Sequence, residues 1–134
     1  VQVVDRVPSS SPAVLAAVAV GGALGAIGRW AVNWLVEATV WQRQPAGWPW
    51  ATLIVNIVGA LLIGLAARRI DRYTIVWAFT VTGILGGFTT FSALAVELND
   101  MADADRLPLA LAYAGVTLAA GIAATALAEG RRAT

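Results

Sequence analysis

Between Ile75 and Val96 the chain stays apolar for long enough to cross a bilayer, yet the centre of that run reads Gly83-Ile-Leu-Gly86-Gly87-Phe88-Thr89-Thr90-Phe91-Ser92. Glycines and hydroxyls at that depth predict a helix that breaks inside the membrane. In hydrocarbon an unpaired backbone N–H or C=O is expensive. Irregular backbone survives there only where it is buried in protein, lines a wet cavity or holds an ion. The break therefore constrains the fold and points towards an ion site.

Three further apolar stretches accompany it: Ala13–Val36, Trp50–Ala67 and Leu107–Ala128. Each of the four holds roughly 18–24 residues, and roughly 20 span the hydrocarbon core. The chain is 59% apolar and 13% charged, with a mean hydropathy of +0.75. Soluble domains are about 45–50% apolar and about 25% charged, so this is the composition of a membrane protein. The predicted class is an all-α integral membrane protein with four transmembrane helices, the third broken mid-membrane. The segments 1–12 and 129–134 read as tails around a four-helix domain at 13–128. Ala13–Val36 is too long for a signal-peptide core and carries Arg29 and Asn33, so it reads as a first span.

The polar residues within the spans are few and aligned. In the first span Gly21, Gly25, Arg29 and Asn33 recur at steps of four and form one stripe. Gly21-x-x-x-Gly25 is a close-packing pattern. Arg29 either snorkels to the interface or faces a partner or cavity. In the second span Asn56 shares a stripe with Ala60 and Gly64, and its amide either joins helices or faces a pore. Glu97 either ends the third span beside the acidic link Asp100, Asp103 and Asp105 or belongs to a polar site. In the fourth span Tyr113, Thr117, Gly121 and Thr125 again step by four. Their hydroxyls form a polar track, unless the threonines bond their own i−4 carbonyls.

Arginines set a direction. By parity, one membrane face holds Arg6, Arg68, Arg69, Arg72, Arg131 and Arg132, and the other holds Arg43 and Arg106. The positive-inside rule then puts both termini of a multi-pass cell-membrane protein in the cytoplasm. Trp41, Trp48 and Trp50 mark the opposite boundary.

Catalysis is not expected. The chain has no cysteine and no histidine, which excludes thiolate and imidazole chemistry. It also lacks a paired carboxylate at depth and a phosphate loop. A net charge of +1 gives no reason to expect a nucleic-acid partner. What remains is a set of donors at membrane depth: Asn56, Thr90, Ser92, Tyr113 and Thr117. Phe91 adds the electropositive edge of its ring. Such donors can replace the water of a small hydrated anion one bond at a time. Freed carbonyls at the break suit a small cation such as sodium.

Gly22-x-x-Gly25-Ala26-x-x-Arg29, Asn56-x-x-Gly59 and Gly83-x-x-Gly86-Gly87-Phe88-Thr89-Thr90-Phe91-Ser92 together resemble the CrcB/Fluc fluoride channels. The resemblance covers all four spans. It implies a dimer of two antiparallel four-helix subunits that lets cytoplasmic fluoride leave passively through two pores. It also implies a structural sodium ion that is not transported, held by the backbone carbonyls of Gly86 and Thr89. Asn56, Thr90, Phe91 and Ser92 would then line the fluoride path, Glu97, Tyr113 and Thr117 would form its polar track, and Arg29 would stand at the pore mouth.

The chain departs from that pattern at Ala93 and Leu94, where the family usually has a hydroxyl and a second phenylalanine, and at Gly121, where the track often has a hydroxyl. Leu94 and the arginine bias together raise the expectation of a different chain as the second subunit. A four-span coupled transporter of the small-multidrug type is the alternative. It needs a deep carboxylate in the first span, where this chain has Arg29.

Overall fold

The computed structural model describes residues 11–40 and 48–130. Trp41, Arg43 and the tails at 1–10 and 131–134, with Arg6, Arg131 and Arg132, lie outside the described residues. The elements are α1 (Pro12–Val40), α2 (Trp50–Arg69), α3 (Ile75–Trp77), a π-helical stretch (Ala78–Leu85), α4 (Gly86–Phe88), α5 (Phe91–Asp103) and α6 (Leu107–Glu129). Four helical units are long and apolar enough to cross a membrane: Pro12–Thr39, Trp50–Arg69, Ile75–Asp103 and Leu107–Glu129. Large apolar side chains are widely exposed, including Trp30, Trp34, Leu111 and Ile122, as expected where lipid replaces water.

The third span is the break that the sequence predicts, with a wider turn before it. Thr89 (φ −73°, ψ 156°) and Thr90 (φ −146°, ψ 124°) are extended and separate α4 from α5. The two halves of the span pack on different partners. The π-helical stretch and α4 lie along α1, whereas α5 lies along α6, and α2 packs on α6.

The glycine stripe of α1 explains the first contact. A Cβ at Gly21 would meet the carbonyl oxygen of Phe79, one at Gly25 that of Ile84, and one at Gly87 that of Gly22. These are backbone-to-backbone approaches that tolerate no side chain. Gly21-x-x-x-Gly25 is thus a packing device that lets two backbones meet. The sequence gives no sign of the π-helical widening, because periodicity cannot separate it from an ordinary α-helical turn.

The third span also runs further than Val96. Leu94 and Met101, with Leu98 partly buried, continue one apolar face into a core of Leu53, Ala110 and Tyr113. That face carries α5 to Asp103 although its outer side is acidic. A turn with Asp105 in the left-handed region (φ 56°) then leads into α6.

Candidate ion path at the broken third span

The break is held open by side chains that take over its hydrogen bonds. Asn56 on α2 donates from Nδ2 to the Thr90 carbonyl at 2.9 Å, and the Thr90 N–H donates back to Oδ1 at 2.8 Å. The Thr90 hydroxyl caps α5 by accepting from the Ala93 N–H at 3.1 Å. In a continuous helix those two N–H groups would go to the carbonyls of Gly86 and Thr89, four residues earlier. Gly86 and Thr89 are therefore two of the carbonyls that lose a helical donor at the break. α2 comes close enough to do this because Gly59 faces Thr89, where a Cβ would strike the threonine methyl.

The other end of the break is capped from α1. Arg29 donates from Nε to the Gly87 carbonyl at 3.3 Å. The Thr89 N–H and hydroxyl both donate to Leu85 at 2.9 Å. Arg29 is thus neither a snorkelling side chain nor part of the groove described next, but a cap on the C-terminal end of the first half-helix.

Beside the break, α2 and α6 frame an open groove of about 600 Å³ whose walls include Asn56, Thr90, Phe91, Leu94, Thr117 and Thr125. Phe91 stands out of the protein surface, 79% exposed. The Thr117 hydroxyl is buried and has no partner among the described residues. Thr125 behaves otherwise: its hydroxyl donates to Gly121, four residues earlier, at 3.0 Å and lies 3.2 Å from the Ala60 carbonyl. The local alternative for the α6 hydroxyls therefore holds at Thr125 and fails at Thr117. Ser92 sits at the edge, with its hydroxyl 3.2 Å from that of Thr90.

One turn along α6, a second cluster surrounds Glu97. Thr52 donates to Oε1, and the Tyr113 hydroxyl lies 3.0 Å from Oε2 and 3.1 Å from the Pro49 carbonyl. Tyr113 is fully buried and meets the Trp48 ring edge-on at 5.2 Å. Glu97 thus does not merely end a span, because α5 continues past it and two hydroxyls converge on its carboxyl group. Thr52 is a polar partner that the sequence reading missed. Its signal was available, since it lies one turn before Asn56 on the stripe of Asn56, Ala60 and Gly64. The structure therefore brings Asn56, Thr90, Phe91 and Thr117 together, sets Glu97 and Tyr113 beside them, and leaves Arg29 outside the groove lining, bonded to Gly87. No group of three or more His, Cys, Asp or Glu side chains that could hold a metal is present among the described residues.

The family described as CrcB-like protein, Camphor Resistance (CrcB), matches residues 16–129, which take in all of α2 to α6 and α1 but for its first turn. The chain belongs to the CrcB family. Among CrcB relatives, the fluoride-specific ion channel FluC of Agrobacterium fabrum is 42% identical over 125 residues, covering 87% of this chain and 95% of the relative. FluC 2 of Nocardia farcinica is 34% identical over 129 residues, 93% of this chain and 89% of its own length. FluC 2 of Symbiobacterium thermophilum is 44% identical over 115 residues, 82% and 89% respectively.

Proposed function

We propose that this CrcB protein is a subunit of a fluoride-selective channel in the cell membrane, not an enzyme, and that it lets cytoplasmic fluoride leave passively. The observation that carries the reading is the open groove beside the break, with Thr117 and the exposed Phe91 on its walls and the Thr117 hydroxyl buried behind the wall with no partner among the described residues. An orphan donor at membrane depth is costly unless something polar comes to it. A small anion meets that need, and a groove without abundant fixed cations would bind it without trapping it. The path would pass Asn56, Thr90, Phe91 and Ser92 and continue along Thr117, Tyr113 and Glu97, with Arg29 holding the break from behind.

An open groove is one wall of a pore. A second four-helix subunit in antiparallel orientation, the same chain or a different one, would supply the other wall. Sodium would bind at the break through the Gly86 and Thr89 carbonyls. The diversion of their usual donors to Asn56 and Thr90 supports this assignment, because unwound carbonyls are suitable oxygen ligands for that ion. One chain offers few such oxygens, which favours a site shared with the second subunit. The ion would neutralise partial charge at the break and would not join the current. Both termini would face the cytoplasm, in line with the arginine bias. A coupled multidrug-type transporter is disfavoured, since α1 places Arg29 where an exchangeable carboxylate is needed.

The test is efflux from liposomes that contain this chain alone, with fluoride and chloride read in parallel. Fluoride flux far above chloride flux is expected. Equal fluxes of the two anions would sink the selectivity claim.

A further inference from the structure

The arginine-rich face of the molecule has a feature that ion conduction does not use. Two hollows share Arg72 as a wall residue. One, of about 390 Å³, is polar and is lined by Ala67, Arg68, Arg72, Glu129 and Gly130. The other, of about 490 Å³, is mainly apolar and lies between the start of α1 and the start of the third span, with Leu15, Val18, Trp77 and Ala78 on its walls and Arg72 at its end. Thr82, also on its wall, lies about two helical turns further into the membrane than Thr74.

The arginines at the junction are placed by specific contacts. The Arg72 guanidinium lies 5.6 Å from the centroid of the Trp77 ring. Arg68 donates from Nη1 to the Ala128 carbonyl at 3.0 Å, and this fixes a guanidinium that still has other N–H groups to offer. Gly130 has φ 71°, and a Cβ there would lie 3.4 Å from that same Nη1. Tyr73 and Trp77 place the junction at the level of the membrane boundary, where such rings concentrate.

We propose that the two hollows bind one anionic phospholipid, with its phosphodiester between Arg68 and Arg72 and one acyl chain in the groove between α1 and the third span. A basic pocket among membrane helices suits a lipid phosphate. A free phosphate would fill only the polar hollow and leave the apolar groove unexplained. A zwitterionic lipid would gain less from two guanidiniums. Glu129 opposes an anion, which fixes the sign of one test. The proposal is independent of the fluoride reading, because its measurement requires no ion flux.

The full chain is reconstituted in phosphatidylcholine vesicles containing increasing fractions of phosphatidylglycerol brominated on its acyl chains. Tryptophan quenching is read, and the Trp77→Phe variant assigns the component due to Trp77. Saturable quenching of that component at a low fraction of brominated lipid is expected. Arg72→Gln should raise the midpoint about fivefold. Arg69→Gln removes the same charge from the same link but lies outside both hollows, and it should leave the midpoint unchanged. Glu129→Gln should lower the midpoint, and Ala19→Phe, which fills the groove, should remove the quenching. Circular dichroism shows whether each variant has folded. Should Arg72→Gln not fold, the Glu129→Gln and Ala19→Phe arms still decide.

Equal shifts for Arg72→Gln and Arg69→Gln would reduce the effect to general surface potential and overturn the site. Equal quenching by brominated phosphatidylcholine would overturn headgroup recognition. Release of quenching by inorganic phosphate would make the polar hollow a free-anion site and overturn the lipid assignment. Failure to quench Trp77 at any lipid fraction would mean that something other than lipid fills the groove.

Discussion

Asn56 and Thr90 exchange two hydrogen bonds, the amide nitrogen to the carbonyl at 2.9 Å and the peptide N–H to the amide oxygen at 2.8 Å. A side-chain amide thereby does for one residue what the next turn of helix would have done. The membrane tolerates the break because its polar groups at Thr90 are paired. This exchange strips the Gly86 carbonyl of its donor, and the Thr90 hydroxyl cap on Ala93 does the same to the Thr89 carbonyl. Asn56 is thus both a stabiliser of the break and a wall of the groove, and variants at this position should move stability and flux together.

Asn56→Asp should be more damaging than Asn56→Ser. Aspartate keeps an acceptor for the Thr90 N–H but loses the donor to its carbonyl, and it adds a charge that repels an anion. Serine keeps a donor and adds no charge. Each unpaired group left at the break should cost about 1–3 kcal/mol. Fluoride flux and thermal unfolding in detergent check both effects. Equal flux in the two variants would place Asn56 away from the path.

Gly87→Ala should destabilise the protein by about 1–3 kcal/mol, the usual range for overpacking, because the new methyl meets the Gly22 carbonyl on a backbone that cannot turn aside. Gly115→Ala is the control. Nothing lies within 4 Å of a Cβ there, and alanine favours the helix by up to about 1 kcal/mol. Thermal unfolding of the two variants should move in opposite directions.

Arg29→Met keeps the apolar stem but removes the donor to Gly87. A loss of about 1.5 kcal/mol is expected, the low end for a charged donor, because the bond is long at 3.3 Å. Arg29→Lys should recover part of it. If Arg29 acts as a cap, stability falls while the ratio of fluoride to chloride flux is unchanged. Altered selectivity at unchanged stability would instead return it to the pore mouth.

Thr52→Val and Tyr113→Phe each remove a hydroxyl from the Glu97 carboxyl group. Because they share that partner, their effects on stability should be non-additive by about 0.5–3 kcal/mol. Thr117→Val should scarcely change stability, since the hydroxyl it removes has no partner among the described residues, but it should reduce fluoride flux. A double-mutant cycle for the first pair and a flux assay for Thr117→Val test these outcomes. Unaltered flux in Thr117→Val would remove the α6 track from the conduction path.

Replacement of sodium by a large organic cation should lower both flux and thermal stability if the Gly86 and Thr89 carbonyls hold the ion. Indifference of both to the exchange would remove sodium from the break.

The sequence by itself determined the four spans and the place where the third one fails. Apolar length and the run Gly83 to Ser92 are one-dimensional signals, and hydrocarbon penalises unpaired backbone wherever the chain lies within it. It also determined the glycine stripe of α1, because steps of four fix a face. Only the tertiary structure decided what each polar residue does. Thr117 and Thr125 look alike in the sequence, yet Thr125 bonds its own helix and Thr117 has no partner among the described residues, since that depends on what packs across from each. Arg29 caps a carbonyl 58 positions away, and Thr52 reaches Glu97 from 45 positions away. No local pattern carries those distances, because hydrogen-bond partners are chosen by the meeting of helix faces after the spans have packed.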